Sequence, residues 1–142
     1  MKVPYVDLGA QWRDIEIEAI PIISEILGSG KYLDHESVSR LENNLAKLIG
    51  VKHVVSLNSG TDSLLLSLVG LGVQPGDEII TVPNSFIATA AAISHVGAIP
   101  VMVDVGEDHL MDVEAIENLI NQRTKAILPV HLEGKVCNMP RI

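Results

Sequence analysis

Residues 58–62 read Asn-Ser-Gly-Thr-Asp, between the apolar run HVVSL (residues 53–57) and a Leu-rich stretch that continues to Leu71. The hydrophobic period changes here from strand-like to helical. A helix that starts at Thr61 or Asp62 presents its first, unpaired backbone N–H groups to this turn. Those groups carry the positive end of the helix dipole and form a small anion site. Gly60 has no side chain, so an anion can approach the main chain closely. The hydroxyls of Ser59 and Thr61 add donors, and a phosphate fits this chemistry. The same residues also fit a plain helix start, with Ser59 or Thr61 as cap and Asp62 in the first turn for dipole reasons. Phe86, the single Phe of the chain, follows the turn Pro83-Asn84-Ser85 at the start of another helical stretch. Its ring can stack on a flat ligand or staple the helix to a sheet.

The pattern around these residues implies how they are positioned. Trp12, Ile15, Ala19, Ile22, Ile23 and Ile26 recur at helical spacing, with Pro21 placed to kink or restart the helix and Gly28 and Gly30 to end it. Val38, Leu41, Leu45 and Leu48 mark a second helix closed by Gly50. Strands are then expected over residues 53–57, 77–82, 99–105 and 125–132. Helices are expected over 61–71 and 86–96, and from Asp112 with Val113, Ile116, Leu119 and Ile120 on one face. Strand and helix alternate, which is the pattern of parallel βαβ units. The helix from Thr61 is apolar nearly all round and should be buried on more than one side. In such a sheet every strand ends on one edge, where ligands gather. Residues 58–62, 83–86 and 132–134 all leave or adjoin strands at that edge.

The chain has 142 residues, enough for one domain with a real core. It is 47% hydrophobic and 3% aromatic, with mean hydropathy +0.32, so its core is built from Val, Ile, Leu and Ala. A net charge of −8 and a pI of about 4.9 leave no basic footprint for nucleic acid. No apolar run reaches the length of a membrane span, and the first residues hold no signal-peptide core, so a cytoplasmic protein is expected. Cys137 is a single cysteine, which excludes an internal disulfide. The five histidines show no metal-binding spacing, and no metal site is expected. His131, at the ligand edge, reads either as a site residue or as a hydrogen-bonded structural His.

Five blocks follow one another in order: VPYVDLGAQW (residues 3–12), VKHVVSLNSGTDSLLLSL (51–68), GVQPGDEIITVPNSFIATAAAI (72–93), GAIPVMVDV (97–105) and RTKAILPVHLEG (123–134). Together they resemble the amino-terminal part of the DegT/DnrJ-type sugar aminotransferases. These are fold type I enzymes that use pyridoxal 5′-phosphate (PLP) to aminate a keto-sugar nucleotide. The resemblance implies the first part of a parallel-sheet α/β/α large domain over residues 51–142, preceded by two helices in a segment over residues 1–50. It implies that Gly60, Thr61 and Asp62, with Ser59, hold the PLP phosphate largely through the backbone. It implies that Phe86 stacks on the pyridine ring, with Thr89 in support. It also implies glutamate as amino donor and a homodimer with active sites between subunits. Two positions depart from the family pattern: His35-Glu36 replaces a common Gly-Pro pair, and Glu133 stands where an aromatic is usual.

Transamination on PLP needs a Schiff-base lysine and an acidic partner for the pyridinium nitrogen. In the family both come from later segments. Lys2, Lys31, Lys47, Lys52, Lys125 and Lys135 read as surface charges, and Asp104 matches a structural position. No catalytic residue is therefore expected here, and the chain reads as a fragment, inactive alone. In fold type I the first strand lies beside one contributed late in the chain. Residues 53–57 would then lack a neighbour, leaving buried N–H and C=O groups unpaired at about 1–3 kcal/mol each. Two other readings fit the residues: a non-catalytic phosphate- or nucleotide-binding α/β module, and an assembly-only remnant. The absence of G-x-G-x-x-G after the first strand weakens the dinucleotide form of the module.

Overall fold

The computed structural model describes residues 3–33 and 36–142; Lys2 and His35 lie outside the described residues. The chain divides into two compact units, Met1–Ser56 and Leu57–Ile142.

The first unit is helical. Helix α1 (Leu8–Ser29) opens on Asp7, whose carboxylate accepts from the Ala10 N–H at 2.9 Å. It closes on Gly30, whose left-handed φ of 71° lets its N–H return to the Leu27 carbonyl. The helix runs through both Gly28 and Pro21 without a break, so it does not restart at Pro21. Proline removes one N–H and orphans the carbonyl four residues earlier, that of Ile17. Ile17 is exposed, so water can serve that carbonyl. Helix α2 (Glu36–Ile49) follows, and neither helix buries a residue.

The second unit carries the sheet. Helix α3 (Gly60–Gly70) leads through a turn with left-handed Gly72 and Gly76 into strand β1 (Glu78–Thr81). Helix α4 (Ala88–His95), strand β2 (Ile99–Met102), the short helix α5 (Val113–Ile116) and strand β3 (Thr124–Leu128) complete it. Among the described residues one sheet forms, in the order β2-β1-β3, with both pairings parallel. β1 is central and buried throughout, as a strand covered on both faces must be.

Successive side chains of β1 point to opposite faces, and each face has its own core. Ile79 packs with Leu68, Val73, Ala92, Ile93 and Ala98, under α3 and α4. Ile80 packs with Val82, Val103, Leu110, Met111, Ile116 and Cys137, under α5 and the chain's last turns. Burying each such Ile contributes roughly 1.5–3 kcal/mol. The result is the expected α/β/α layering, in partial form.

Five sequence expectations need correction. Residues 53–57 form no strand; Val55 is 74% exposed. A strand exists only by pairing, and no neighbour stands beside these residues among the described ones. The strands over 99–105 and 125–132 stop at Met102 and Leu128. Pro129 has no N–H to continue β3, while beyond β2 the chain turns so that Val105 bridges Met111 antiparallel. The helix from Asp112 is one turn, followed by a 3-10 turn (Glu117–Leu119), and Ile120 is exposed rather than on a buried face. Finally, α3 is not covered on several sides: Leu68 is buried, while Leu66 and Val69 are exposed.

Candidate functional site

Ser59 is extended and its hydroxyl oxygen accepts from the Asp62 N–H at 3.1 Å, so it caps α3. The Ser59 carbonyl takes the Ser63 N–H at 3.1 Å. The N–H groups of Gly60 and Thr61 precede any helical carbonyl that could reach them, so they point forward out of the first turn. Both residues are exposed. A Cβ built on Gly60 meets nothing within 4 Å, and the residue needs no positive φ. Packing within the chain therefore does not demand a glycine there, and the space above its backbone is open.

α3 enters β1 through residues 71–77, so its carboxyl end lies by the amino end of β1. Leu64 and Leu65, near its start, join the same core as Leu128 at the carboxyl end of β3. The helix thus runs back along the sheet, and residues 59–61 open toward the edge where the strands end.

Phe86 lies at that edge too, five residues past the end of β1. It sits just before α4 rather than inside it, since the helix begins at Ala88. The residue is 76% exposed, so it does not staple the helix to the sheet. Thr89 is buried; its hydroxyl shares a 2.8 Å hydrogen bond with Ser85 and its N–H donates to the Phe86 carbonyl at 3.0 Å. Among the described residues no hydrogen bond joins the Phe86 turn to the Ser59 turn.

The same edge carries further polar groups, whose contacts the sequence did not reveal. Asn84 Nδ2 donates to the His109 carbonyl at 2.9 Å. His109 and Glu133 both take left-handed backbone, φ 67° and 55°, and their side chains approach to 3.9 Å. Lys135 Nζ donates to the Asp108 carbonyl at 3.2 Å and lies 4.0 Å from Glu133. His131 has its Nδ1 occupied by the Cys137 N–H at 3.2 Å, which favours its structural role. Away from the edge, the Arg141 guanidinium is held above its ordinary pKa, first by a hydrogen bond to Glu114 and then by that carboxylate's charge.

The donor set at residues 59–61 fits a phosphate: two helix-opening N–H groups, two hydroxyls and clear space over a glycine. It supplies no cation, so recognition there is by dipoles and hydrogen bonds. The Asp62 N–H is taken by the Ser59 cap, which leaves Gly60 and Thr61 as the backbone donors.

The DegT/DnrJ/EryC1/StrS aminotransferase family model matches residues 13–142. Among curated relatives, UDP-N-acetyl-3-dehydro-alpha-D-glucosamine 3-aminotransferase of Acidithiobacillus ferrooxidans is 43% identical over 141 residues, which is 99% of this chain and 38% of that protein. Among solved structures, Streptomyces venezuelae DesV superposes with a TM-score of 0.95 at 40% identity, over 99% of this chain and 38% of that one. Bacillus subtilis NtdA, solved with bound cofactor PMP, superposes with a TM-score of 0.90 at 34% identity, over 99% of this chain and 33% of that one. The chain thus spans well under half the length of the proteins it matches. Its three-stranded parallel sheet and flanking helices form part of the fold type I architecture of those enzymes. With the match running from residue 13 to the last residue, the chain belongs to the DegT/DnrJ/EryC1/StrS aminotransferase family, which depends on PLP.

Proposed function

We propose that these residues are the phosphate- and ring-binding part of a PLP-dependent aminotransferase that aminates a keto-sugar nucleotide. The observation that carries this reading is the open start of α3. Gly60 there has ordinary backbone and no packing neighbour, so the space above the first N–H groups of the helix is left open to a ligand. The N–H groups of Gly60 and Thr61 and the hydroxyls of Ser59 and Thr61 hold the phosphate. Asp62 contributes indirectly, by locking the Ser59 cap. Phe86 covers one face of the pyridine ring. PLP, when bound, draws electrons from the carbon that loses its proton. The residues of this chain bind it, orient it and keep water from the covered face.

The relatives support the substrate class: they include transaminases of dTDP- and UDP-linked sugars. They do not favour a stand-alone nucleotide-binding module. Glutamate as donor, a homodimer and a cytoplasmic location complete the reading, with residues 1–50 as a helical segment before the cofactor domain. None of Lys31, Lys47, Lys52, Lys125 or Lys135 stands in the family's covalent-lysine context, and Lys135 is engaged by Asp108 and Glu133. The 142 residues alone are accordingly expected to bind PLP without a covalent bond and to catalyse no transamination.

The test is a titration of the chain with PLP, followed by borohydride reduction and mass spectrometry. Reversible binding that competes with inorganic phosphate, with no mass added at a specific lysine, is the expected result. A specific reduced adduct, or binding indifferent to phosphate, overturns the reading.

A further inference from the structure

The turn that carries Phe86 is fastened on both sides while its ring stays free. Ahead of the ring, Asn84 Nδ2 reaches 25 residues along the chain to the His109 carbonyl, at 2.9 Å. Behind it, the Ser85 and Thr89 hydroxyls bond at 2.8 Å, and the Thr89 N–H holds the Phe86 carbonyl at 3.0 Å.

The acceptor for Asn84 is itself held in place. The Gly106 N–H donates to the Leu110 carbonyl at 2.9 Å, and the His109 N–H donates to the Gly106 carbonyl at 3.0 Å. The Leu110 N–H donates to Asp108 Oδ1 at 3.0 Å. Leu110 and Met111 are buried in the core, and Met111 bridges Val105. His109 takes φ 67°, which non-glycine residues rarely adopt. The loop thus accepts an unfavourable backbone at the very residue whose carbonyl Asn84 uses.

We propose that Asn84 is a positioning residue for the Phe86 ring: its amide ties the ring-bearing turn to the braced 106–110 loop, so that a flat aromatic ligand meets a platform already ordered. The inference rests on the reading of Phe86 as the stacking group for PLP. Ordering a contact before binding removes part of the entropy lost on association. Asp and Ala at position 84 cannot donate to the carbonyl, whereas a glycine at 109 keeps the carbonyl and removes only the imidazole.

The experiment uses the whole 142-residue chain as wild type, Asn84→Asp, Asn84→Ala and His109→Gly, labelled on the Phe ring; with a single Phe, its NMR signals need no sorting. Both Asn84 variants are expected to shift the Phe86 ring signals and raise the mobility of that ring, with the melting midpoint lowered only slightly and the chain still folded. PLP affinity should fall about 2- to 10-fold, because the turn must then be ordered on binding. His109→Gly should leave the Phe86 signals as in wild type. Unaltered ring signals and mobility in both Asn84 variants, or changes that appear only as the folded core is lost, overturn the inference. Failure of the wild-type chain to bind PLP overturns the cofactor reading instead, and the ring signals still decide whether Asn84 positions Phe86.

Discussion

The Glu78 carboxylate, its side chain 7% exposed at the amino end of the central strand, meets the Arg123 guanidinium at 2.5 Å and accepts from Asn121 Nδ2 at 2.7 Å. The Glu78 N–H also donates to the Arg123 carbonyl at 2.7 Å. This clamp sits where the β1–β3 register shifts, between Glu78 and Ile79, and it joins the two strands at the end opposite the candidate site. Arg123→Ala strands a buried carboxylate on one remaining partner and should destabilise the fold by about 1–3 kcal/mol in urea titrations. Arg123→Lys should recover part of that loss, because a point charge replaces a fork of donors. An unchanged urea midpoint for the alanine variant would show that water serves the carboxylate instead.

At the start of α3, stability and binding should separate in sign. Gly60 is helical, has ordinary φ, and offers open space to a Cβ. Gly60→Ala should therefore raise stability by roughly 0.4–1 kcal/mol, through a less flexible unfolded chain. The same methyl group occupies the space above the backbone donors, so PLP affinity should fall. Thermal melts and PLP titrations on one sample check both signs. A stabilised variant with undiminished PLP binding removes the phosphate from this turn.

Ser59→Ala deletes the cap that receives the Asp62 N–H. Loss of such a cap costs about 0.5–2 kcal/mol. Calorimetric melts should show that loss, and a smaller effect would mean that water caps the helix equally well.

Phe86 is exposed, so Phe86→Ala should change stability by less than about 0.5 kcal/mol. Loss of an aromatic stacking partner should weaken PLP binding by about 2- to 13-fold, corresponding to roughly 0.5–1.5 kcal/mol. Equilibrium titrations by cofactor fluorescence measure it. Equal affinity in the variant places the pyridine ring elsewhere.

Gly97 ends α4 with φ 78°, and a Cβ there comes to 3.0 Å from the Pro75 Cβ and 3.2 Å from its Cα. The Gly97 carbonyl accepts the Gly76 N–H at 2.9 Å, so the two turns are locked together. Gly97→Ala should destabilise the chain by about 1–3 kcal/mol, from unfavourable backbone and contact with Pro75. Urea unfolding reads this directly, and a neutral result would show that the Pro75 turn can shift at little cost.

Much of the architecture was legible because it is written in local periodicity. Ile79 and Ile80 in a short β-branched run, followed by an Ala-rich helix and then Ile99-Pro100-Val101, are enough to expect parallel βαβ units, and the sheet follows that order. Residues 53–57 carry the same kind of run and form no strand, because pairing depends on a neighbour and not on the residues themselves. Pro21 was placed to kink or restart α1 and does not restart it, since an exposed helix can leave the orphaned carbonyl to water. At the candidate site, Ser59, Gly60, Thr61 and Phe86 stood out by type and spacing. Asn84 did not, although its place in a Pro-Asn-Ser turn was visible, because its partner is 25 residues away.

By itself the sequence determined the alternation of helices and strands from α3 to β3, the donor-rich start of α3 and the family to which the chain belongs. These depend on hydrophobic period, caps and ordered motifs, which act between residues a few positions apart. Tertiary structure alone decided that Phe86 stays exposed, that Asn84 is held by His109, and that Thr81 Oγ1 donates to the Leu128 carbonyl, 47 residues on. Such relationships arise only when distant segments are packed against one sheet, and no local pattern encodes which pairs will meet.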